Sequence, residues 1–405
     1  MKISKDKKLC EEYIGKHPVI SISLKGINAA SYEAAFELTV KTIKGAVQKA
    51  GFLKMSDKLD EDEKKEYRAI LDENMSEATL FWSLKNLSEL SEKHYETKVI
   101  LLIDEYDVPL AKAFENGYYD KMVFLIRNLL EQTLKTNNSL KFAVMTGCMR
   151  ISKESIFTGL NNLKVLSITD ERFDEYFGFT DEDVKEMLRY YDREDHYEEM
   201  RNWYDGYRFG STDVYCPWDV LNHCDKIKEN AAAFPENYWV HTSSNEAVKK
   251  IIQMSGNITT KREIERLLAG EEIVKEIRQE LTYQEMYQSV ENIWSLLFMT
   301  GYLTQRQRLD ASHYKLAIPN LEVRVIFKTQ IMEYFKEGVA KDGDTLKQLC
   351  DALKGGDAEK DNQYSRYICE EIIKREFLPW NFARHFRCQR RLGSIFKQGN
   401  RGRVQ

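Results

Sequence analysis

The residues best suited to chemistry are Asp104 and Glu105, which close the aliphatic run Val99-Ile100-Leu101-Leu102-Ile103. An unbroken apolar run between helix-forming segments suits a strand buried on both faces of a parallel sheet. In open α/β sheets, ligands bind at the carboxyl ends of such strands. An Asp at that tip can hold Mg²⁺, usually through water, beside a nucleotide's phosphates. A Glu one residue further on can polarise the attacking water as a general base. Aliphatics followed by Asp-Glu form a Walker B pattern. Ordinary core strands also end in two acids, so other segments must decide between the readings.

A second apolar run, Leu140-Lys141-Phe142-Ala143-Val144-Met145, ends in Thr146-Gly147-Cys148-Met149-Arg150. A polar or basic side chain at the end of the strand beside the acidic pair can sense a γ-phosphate, and Thr146 and Arg150 are the candidates. The plainer reading is a strand-end turn, with Arg150 solvated or paired to a carboxylate. The phosphate-binding pattern Gly-x-x-x-x-Gly-Lys-Ser/Thr, whose backbone N–H groups wrap a β-phosphate, does not occur. Gly15-Lys16 is followed by His17, and Gly355-Gly356 by no Lys-Ser/Thr. About sixteen residues precede the first expected strand, too few for a further strand, loop and helix. The expectation is an acidic tip whose Asp104 meets Mg²⁺ only if a nucleotide binds, and a chain that holds ATP weakly or not at all.

The elements that must position these residues are legible in part. Pro18 to Leu24 alternates apolar and polar, which suits a strand. Ser31 opens a helical stretch to about Lys49, and Ser76 can cap a second one carrying Leu80, Leu84, Leu87 and Leu90. Residues 119–136 read as a helix. Alternating strands and helices over 1–175 predict an α/β, P-loop NTPase-like parallel sheet, incomplete for want of its first strand and phosphate loop. Residues 176–256 read as a helical lid region. Residues 257–345 read as a small helical bundle ending in a hairpin, Gly301–Thr304 and Tyr314–Ile318, which suggests a winged-helix-like domain. Residues 346–405 read as a tail.

Taken together, these segments resemble the bacterial AAA-ATPase-like family, P-loop NTPases often fused to a PD-(D/E)XK nuclease-like domain. The resemblance rests on Leu101-Leu102-Ile103-Asp104-Glu105-Tyr106-Asp107-Val108-Pro109-Leu110, Thr146-Gly147 and Ser155 to Leu163. It continues through Trp203-Tyr204-Asp205-Gly206-Tyr207-Arg208-Phe209, Val214-Tyr215-Cys216-Pro217-Trp218 and Asn237-Tyr238-Trp239. The match runs in order over about residues 15–355. It implies Asp104 and Glu105 as the Walker B pair, Thr146 as the sensor-region residue, and ATP and Mg²⁺ as the family's cofactors. The Ser155 and Trp203 segments are family hallmarks whose expected role here is packing. After about residue 360 the pattern departs from the family. A one-base shift of a permitted codon string for Lys374 to Arg384 restores it, so an out-of-frame tail is expected, and its basic balance is then an accident.

Bulk composition limits the alternatives. A chain of 405 residues, 42% hydrophobic and 31% charged, is ordinary for a globular protein of two or three domains. No apolar run reaches the ~20 residues of a membrane helix, and the cytoplasm is the expected compartment. Seven dispersed cysteines without Cys-x-x-Cys suit reduced thiols. Net charge is −5, with ten Lys/Arg against four Asp/Glu in residues 361–405 and an acidic body before them. An acidic body argues against a broad nucleic-acid footprint. The reading is therefore a fragment of an AAA-like ATPase, unable to hydrolyse ATP by itself. The alternative is a non-enzymatic protein- or nucleic-acid-binding module working through the winged-helix-like region, where Lys261, Arg262 and Arg266 offer a small basic face. Self-association through open sheet edges is also expected.

Overall fold

The computed structural model describes residues 2–72, 74–148, 163–239, 246–254, 258–286 and 288–341. Arg150, most of the Ser155–Leu163 segment and the tail lie outside the described residues. The chain divides into two compact units, one of residues 1–165 and 279–286, the other of residues 166–278 and 287–405.

The first unit begins with a short helix, α1 (Lys7–Tyr13), and the strand β1 (Val19–Ser23). Helix α2 (Tyr32–Lys49) starts where Ser31 Oγ accepts the Ala34 N–H, satisfying one of the donors a helix start leaves free. Helix α3 (Glu61–Ile70) opens with a capping box between Asp60 and Glu63. Helix α4 (Glu77–Tyr95) is capped by Ser76. Strand β2 (Val99–Asp104), helices α5 (Val108–Glu115) and α6 (Tyr119–Leu134) and strand β3 (Leu140–Met145) complete this stretch.

The three strands form one parallel sheet in the order β1-β2-β3. Right-handed crossovers between strands laid down in sequence order put every connecting helix on the same face. The burial agrees. Ile20 and Ile22 pair with Leu101 and Ile103, and all four are buried. On the other face, Val19 pairs with Ile100, and Leu102 with Val144. There Val19, Leu102, Phe142 and Val144 are exposed. β1 and β3 are the edge strands of this sheet among the described residues. β2 is thus buried on one face and, on the other, buried at Ile100 but open toward its carboxyl end at Leu102 and Asp104, so its unbroken aliphatic run predicts more cover than the strand has.

The second unit contains α7 (Asp181–Tyr190), α8 (Tyr197–Tyr204), the two-stranded antiparallel ribbon β4 (Tyr207–Phe209) and β5 (Thr212–Val214), and α9 (Pro217–Glu229). After α10 (Glu246–Met254) and α11 (Ile258–Ala269) comes a short strand, β6 (Ile273–Glu276). The short helix α12 (Tyr283–Met286) belongs to the first unit. Then follow α13 (Val290–Met299), β7 (Thr304–Arg308), β8 (His313–Ala317) and α14 (Leu321–Lys341).

The hairpin expected near residues 301–318 is present, but its sheet has a third member. The order is β6-β8-β7, all antiparallel. Four residues, of which Ile273 is buried and Val274 exposed, are too few for a period-2 pattern to stand out. The segment also continues past the hairpin into the long α14.

Candidate functional site

The carboxyl ends of the three parallel strands bring together the residues whose types suggested chemistry. In β2 and β3, Leu102 pairs with Val144 and Ile103 with Met145. One step further on, the same alternation sets Asp104 and Thr146 side by side on the open face. Their side chains meet there: Thr146 donates its hydroxyl to Asp104 Oδ1 at 2.5 Å. The backbone is pinned on both sides. Leu24 N–H donates to the Asp104 carbonyl at 2.9 Å, Thr146 N–H to Ile103 at 2.9 Å, and Tyr106 N–H to Thr146 at 3.1 Å. The ladder thus extends past the last strand residue, and the tip is a rigid platform.

Glu105 turns the chain off this platform with φ +53. A non-glycine residue in the left-handed region costs about 1 kcal/mol or more, and such strain gathers at functional sites. Its carboxylate lies 3.5 Å from Lys25 Nζ, just beyond β1. Both groups reach solvent, so this pair adds little stability. Its effect is local, setting one positive charge beside two negative ones.

Two further residues shape the tip. Asp107 is buried at the start of α5, and its carbonyl accepts from the Tyr283 hydroxyl at 3.4 Å. Tyr283 also stacks on Phe114 and meets Tyr119 edge-on, so residues 279–286 brace the first turn of α5. Gly147 follows Thr146 where a Cβ would lie 2.6 Å from the Tyr106 ring and 2.8 Å from Asp107 Oδ1. No larger residue fits without moving a buried aromatic, which explains the Thr-Gly pair at the end of β3.

Among the residues expected at the site, the structure joins Asp104 to Thr146 and places Glu105 beside them; Arg150 lies outside the described residues. Sequence reasoning missed Lys25, Asp107 and Tyr283. Asp107 had a visible signal, a third acid two residues after the pair. Lys25 and Tyr283 are far away in sequence and gave none.

The residues fit one half of a nucleotide–magnesium site. An exposed carboxylate with a hydroxyl beside it and a second carboxylate next to it suits a hydrated divalent cation. The other half, a row of backbone N–H groups around a phosphate, is not present among the described residues. No step of a phosphoryl-transfer reaction follows from this geometry alone.

The aromatic motif lies elsewhere, in the second unit, and its contacts are structural. Tyr204 donates its hydroxyl to the Glu236 carbonyl and accepts from the Glu236 N–H, at 2.9 and 3.1 Å. Arg208 forks onto both oxygens of Asp213 at 2.8 and 2.7 Å. Gly206, at φ +113, packs so closely that a Cβ would sit 2.1 Å from the Pro319 carbonyl oxygen. Arg306 donates to the Gly206 and Pro319 carbonyls. Beneath these lies a buried acidic pair, Asp219 and Glu322. Burial first, and the neighbouring Asp219 second, push Glu322 up to about 9, while its Oε1 accepts the Trp239 N–H at 2.8 Å.

Comparison with known proteins agrees with the first unit. A family model described as a predicted AAA-ATPase, the AAA-ATPase-like family, matches residues 3–157. That span contains the whole parallel sheet and its acidic tip, so an ATPase-like origin is supported for this part of the chain. An uncharacterized protein in the vnfD 5′ region of Azotobacter chroococcum mcd 1 is 28% identical over 257 residues, covering 59% of this chain and 44% of that protein. The chain thus spans less than half the length of that relative. No solved structure matches. No helix among the described residues is long and apolar enough to cross a membrane.

Proposed function

We propose that the first unit is a P-loop NTPase-like core of AAA type, in which Asp104 and Glu105 stand in the Walker B position and Thr146 in the sensor position. In that arrangement Asp104 holds Mg²⁺ through water and Glu105 faces the attacking water. The observation that carries this reading is the 2.5 Å hydrogen bond from Thr146 to Asp104 across two adjacent parallel strands. It ties the expected metal carboxylate to the expected phosphate sensor at the end of the sheet where ligands bind.

Binding is expected to be weak, because phosphate wrapping supplies most of a nucleotide's affinity and no phosphate-loop pattern occurs in this sequence. Isothermal titration of the purified chain with ATP and Mg²⁺ tests this. The expected result is no saturable binding below millimolar ATP. A micromolar Kd that Asp104→Asn removes would overturn the inactive part of the reading and leave the assignment of the tip intact.

A second reading concerns the winged-helix-like domain expected over residues 257–345. Within the second unit, the succession α11, β6, α13, β7, β8, with sheet order β6-β8-β7, supports a winged-helix-like arrangement and hence a binding module. Its α13 carries no basic residue, and Ile293, Trp294, Leu296, Leu297 and Phe298 on it are buried. Arg266 on α11 is occupied by Glu271 and the Glu272 carbonyl. A protein partner therefore suits this region better than a phosphate backbone. Filter binding to duplex DNA over a salt series tests the distinction, since genuine phosphate contacts give a steep salt slope.

A further inference from the structure

The second unit holds a cluster that the nucleotide reading does not use. His196 precedes α8, Glu199 lies in its first turn, and His223 faces them from α9. The i, i+3 spacing of His196 and Glu199 puts both on one helix face. We propose that His196, Glu199 and His223 form a binding site for a divalent transition-metal ion of the zinc class.

The geometry fits. Glu199 Oε1 lies 3.1 Å from His196 Nδ1 and 3.2 Å from His223 Nε2. The three ligand atoms all lie within 4.8 Å of one another. A tetrahedral ion with bonds near 2.0–2.1 Å spaces its ligands about 3.3 Å apart, so small rotations admit one ion among these atoms.

Proton placement supports it. His196 Nε2 lies 3.0 Å from the Ala231 carbonyl oxygen. A carbonyl only accepts, so the proton of a neutral His196 is on Nε2 and its Nδ1 lone pair points at a carboxylate oxygen. Two acceptors at that distance need a second proton or a cation between them. An imidazole whose outer N–H is tied to a backbone carbonyl is also the arrangement that fixes a ligating tautomer. His223 is fully buried, with its Nε2 turned to the Glu199 carboxylate. Its Nδ1 lies 3.5 Å from the Tyr238 hydroxyl, which can accept that N–H and leave Nε2 for the ion.

The surroundings do not compete. The neighbouring cation Lys226 is paired with Glu236 and sits over the Tyr238 ring. The Asp195 carboxylate, 4.0 Å from His196 Nε2, adds negative charge. The Glu199 side chain is 33% exposed, which provides an entry path and room for a water as fourth ligand. Two imidazoles and one carboxylate select zinc-like ions over Ca²⁺ or Mg²⁺.

The test uses the full chain, stripped with chelator and titrated with Co²⁺ alone, then with Zn²⁺ as competitor. One equivalent of Co²⁺ should bind with the visible absorption of a four-coordinate nitrogen and oxygen site, and Zn²⁺ should displace it. Glu199→Gln, at a partly exposed position, and His196→Gln should each weaken binding about 100-fold while the far-ultraviolet dichroism stays unchanged. His223→Gln serves as a third variant, used only if it folds. No stoichiometric binding, or binding unchanged in both the Glu199 and His196 variants, overturns the proposal and leaves a hydrogen-bonded His–Glu cluster. Absorption from sulfur-to-metal charge transfer overturns it too, because it places the ion on the cysteines.

Discussion

The two three-stranded sheets among the described residues handle their apolar surface differently. In the second unit, Leu316 and Tyr314 of β8 and Thr304 of β7 are buried. The rim of that sheet is tied to loops: Gln305 reaches three carbonyls, of Ile168, Arg208 and Gly210, and the Arg208 N–H donates to Thr304. In the first unit the second face of the parallel sheet is covered only in part among the described residues: Ile100 is buried there and the Tyr13 ring meets Phe142 edge-on. Val19 is 55% exposed, Val144 45% and Phe142 41%. Parallel sheets are almost always covered on both faces. The contrast separates two roles. In the second unit the aromatic motif ties the rim of the sheet to its loops, although Val274 of β6 stays exposed. The first presents an acidic tip on a sheet whose second face keeps Val19, Leu102, Phe142 and Val144 exposed.

Glycine substitutions break this comparison most sharply. In the second unit, Gly206→Ala puts a methyl 2.1 Å from the Pro319 carbonyl oxygen at φ +113. Close contact and backbone strain together should cost about 3 kcal/mol or more. In the first unit, Gly45 lies inside α2 with nothing within 4 Å of an added Cβ. Gly45→Ala should therefore stabilise by about 0.5–1 kcal/mol. Urea unfolding followed by dichroism reads both. Equal and small effects would show that the motif around Gly206 does not hold its unit together.

The buried acids of the second unit give a smaller effect with a clear sign. Glu322 titrates at about 9 in the folded chain, against an ordinary value of 4.5. The folded state keeps a proton that the unfolded state releases, so stability is full at acid pH. It falls as pH rises from about 4.5 to about 9. Asp219, also raised by burial, pulls in the same direction. Glu322→Gln keeps the oxygen that accepts from Trp239 and removes the titration. It should flatten the decline and stabilise the chain by about 1 kcal/mol at pH 8. Thermal melts at pH 5, 7 and 9 check this, and an unchanged slope in the variant would move the proton elsewhere.

How much of this was legible in the sequence follows from how far each signal reaches. Local signals served well: Ser31 and Ser76 mark helix starts as caps, and the aliphatic run to Asp104 marks a strand by its composition. The pairing of Asp104 with Thr146 was legible only as an expectation, because strand adjacency is not written in either segment. The partial cover of the second face of β2 was hidden, since an unbroken aliphatic run reads the same whether one face or two are covered. Lys25 and Tyr283 reach the tip from 79 residues before Asp104 and 176 residues after Asp107, and no periodicity reports such contacts. The His196–Glu199–His223 cluster escaped for the same reason: its spacing matches no zinc-finger pattern and depends on α8 packing against α9.

The smallest expected effect on stability tests the open face itself. Phe142 and Val144 lie on the edge strand β3, exposed and pointing the same way as Leu102. An exposed apolar edge strand invites pairing with another chain. The double variant Phe142→Thr, Val144→Thr keeps β-favouring residues while removing apolar surface. It should change unfolding free energy by no more than about 1 kcal/mol. Its effect on association should be larger: sedimentation velocity should show a concentration-dependent shift for the natural chain and a monomer for the variant. A natural chain that stays monomeric across that series would mean the uncovered face does not drive assembly. The contrast between the two sheets would then concern burial alone.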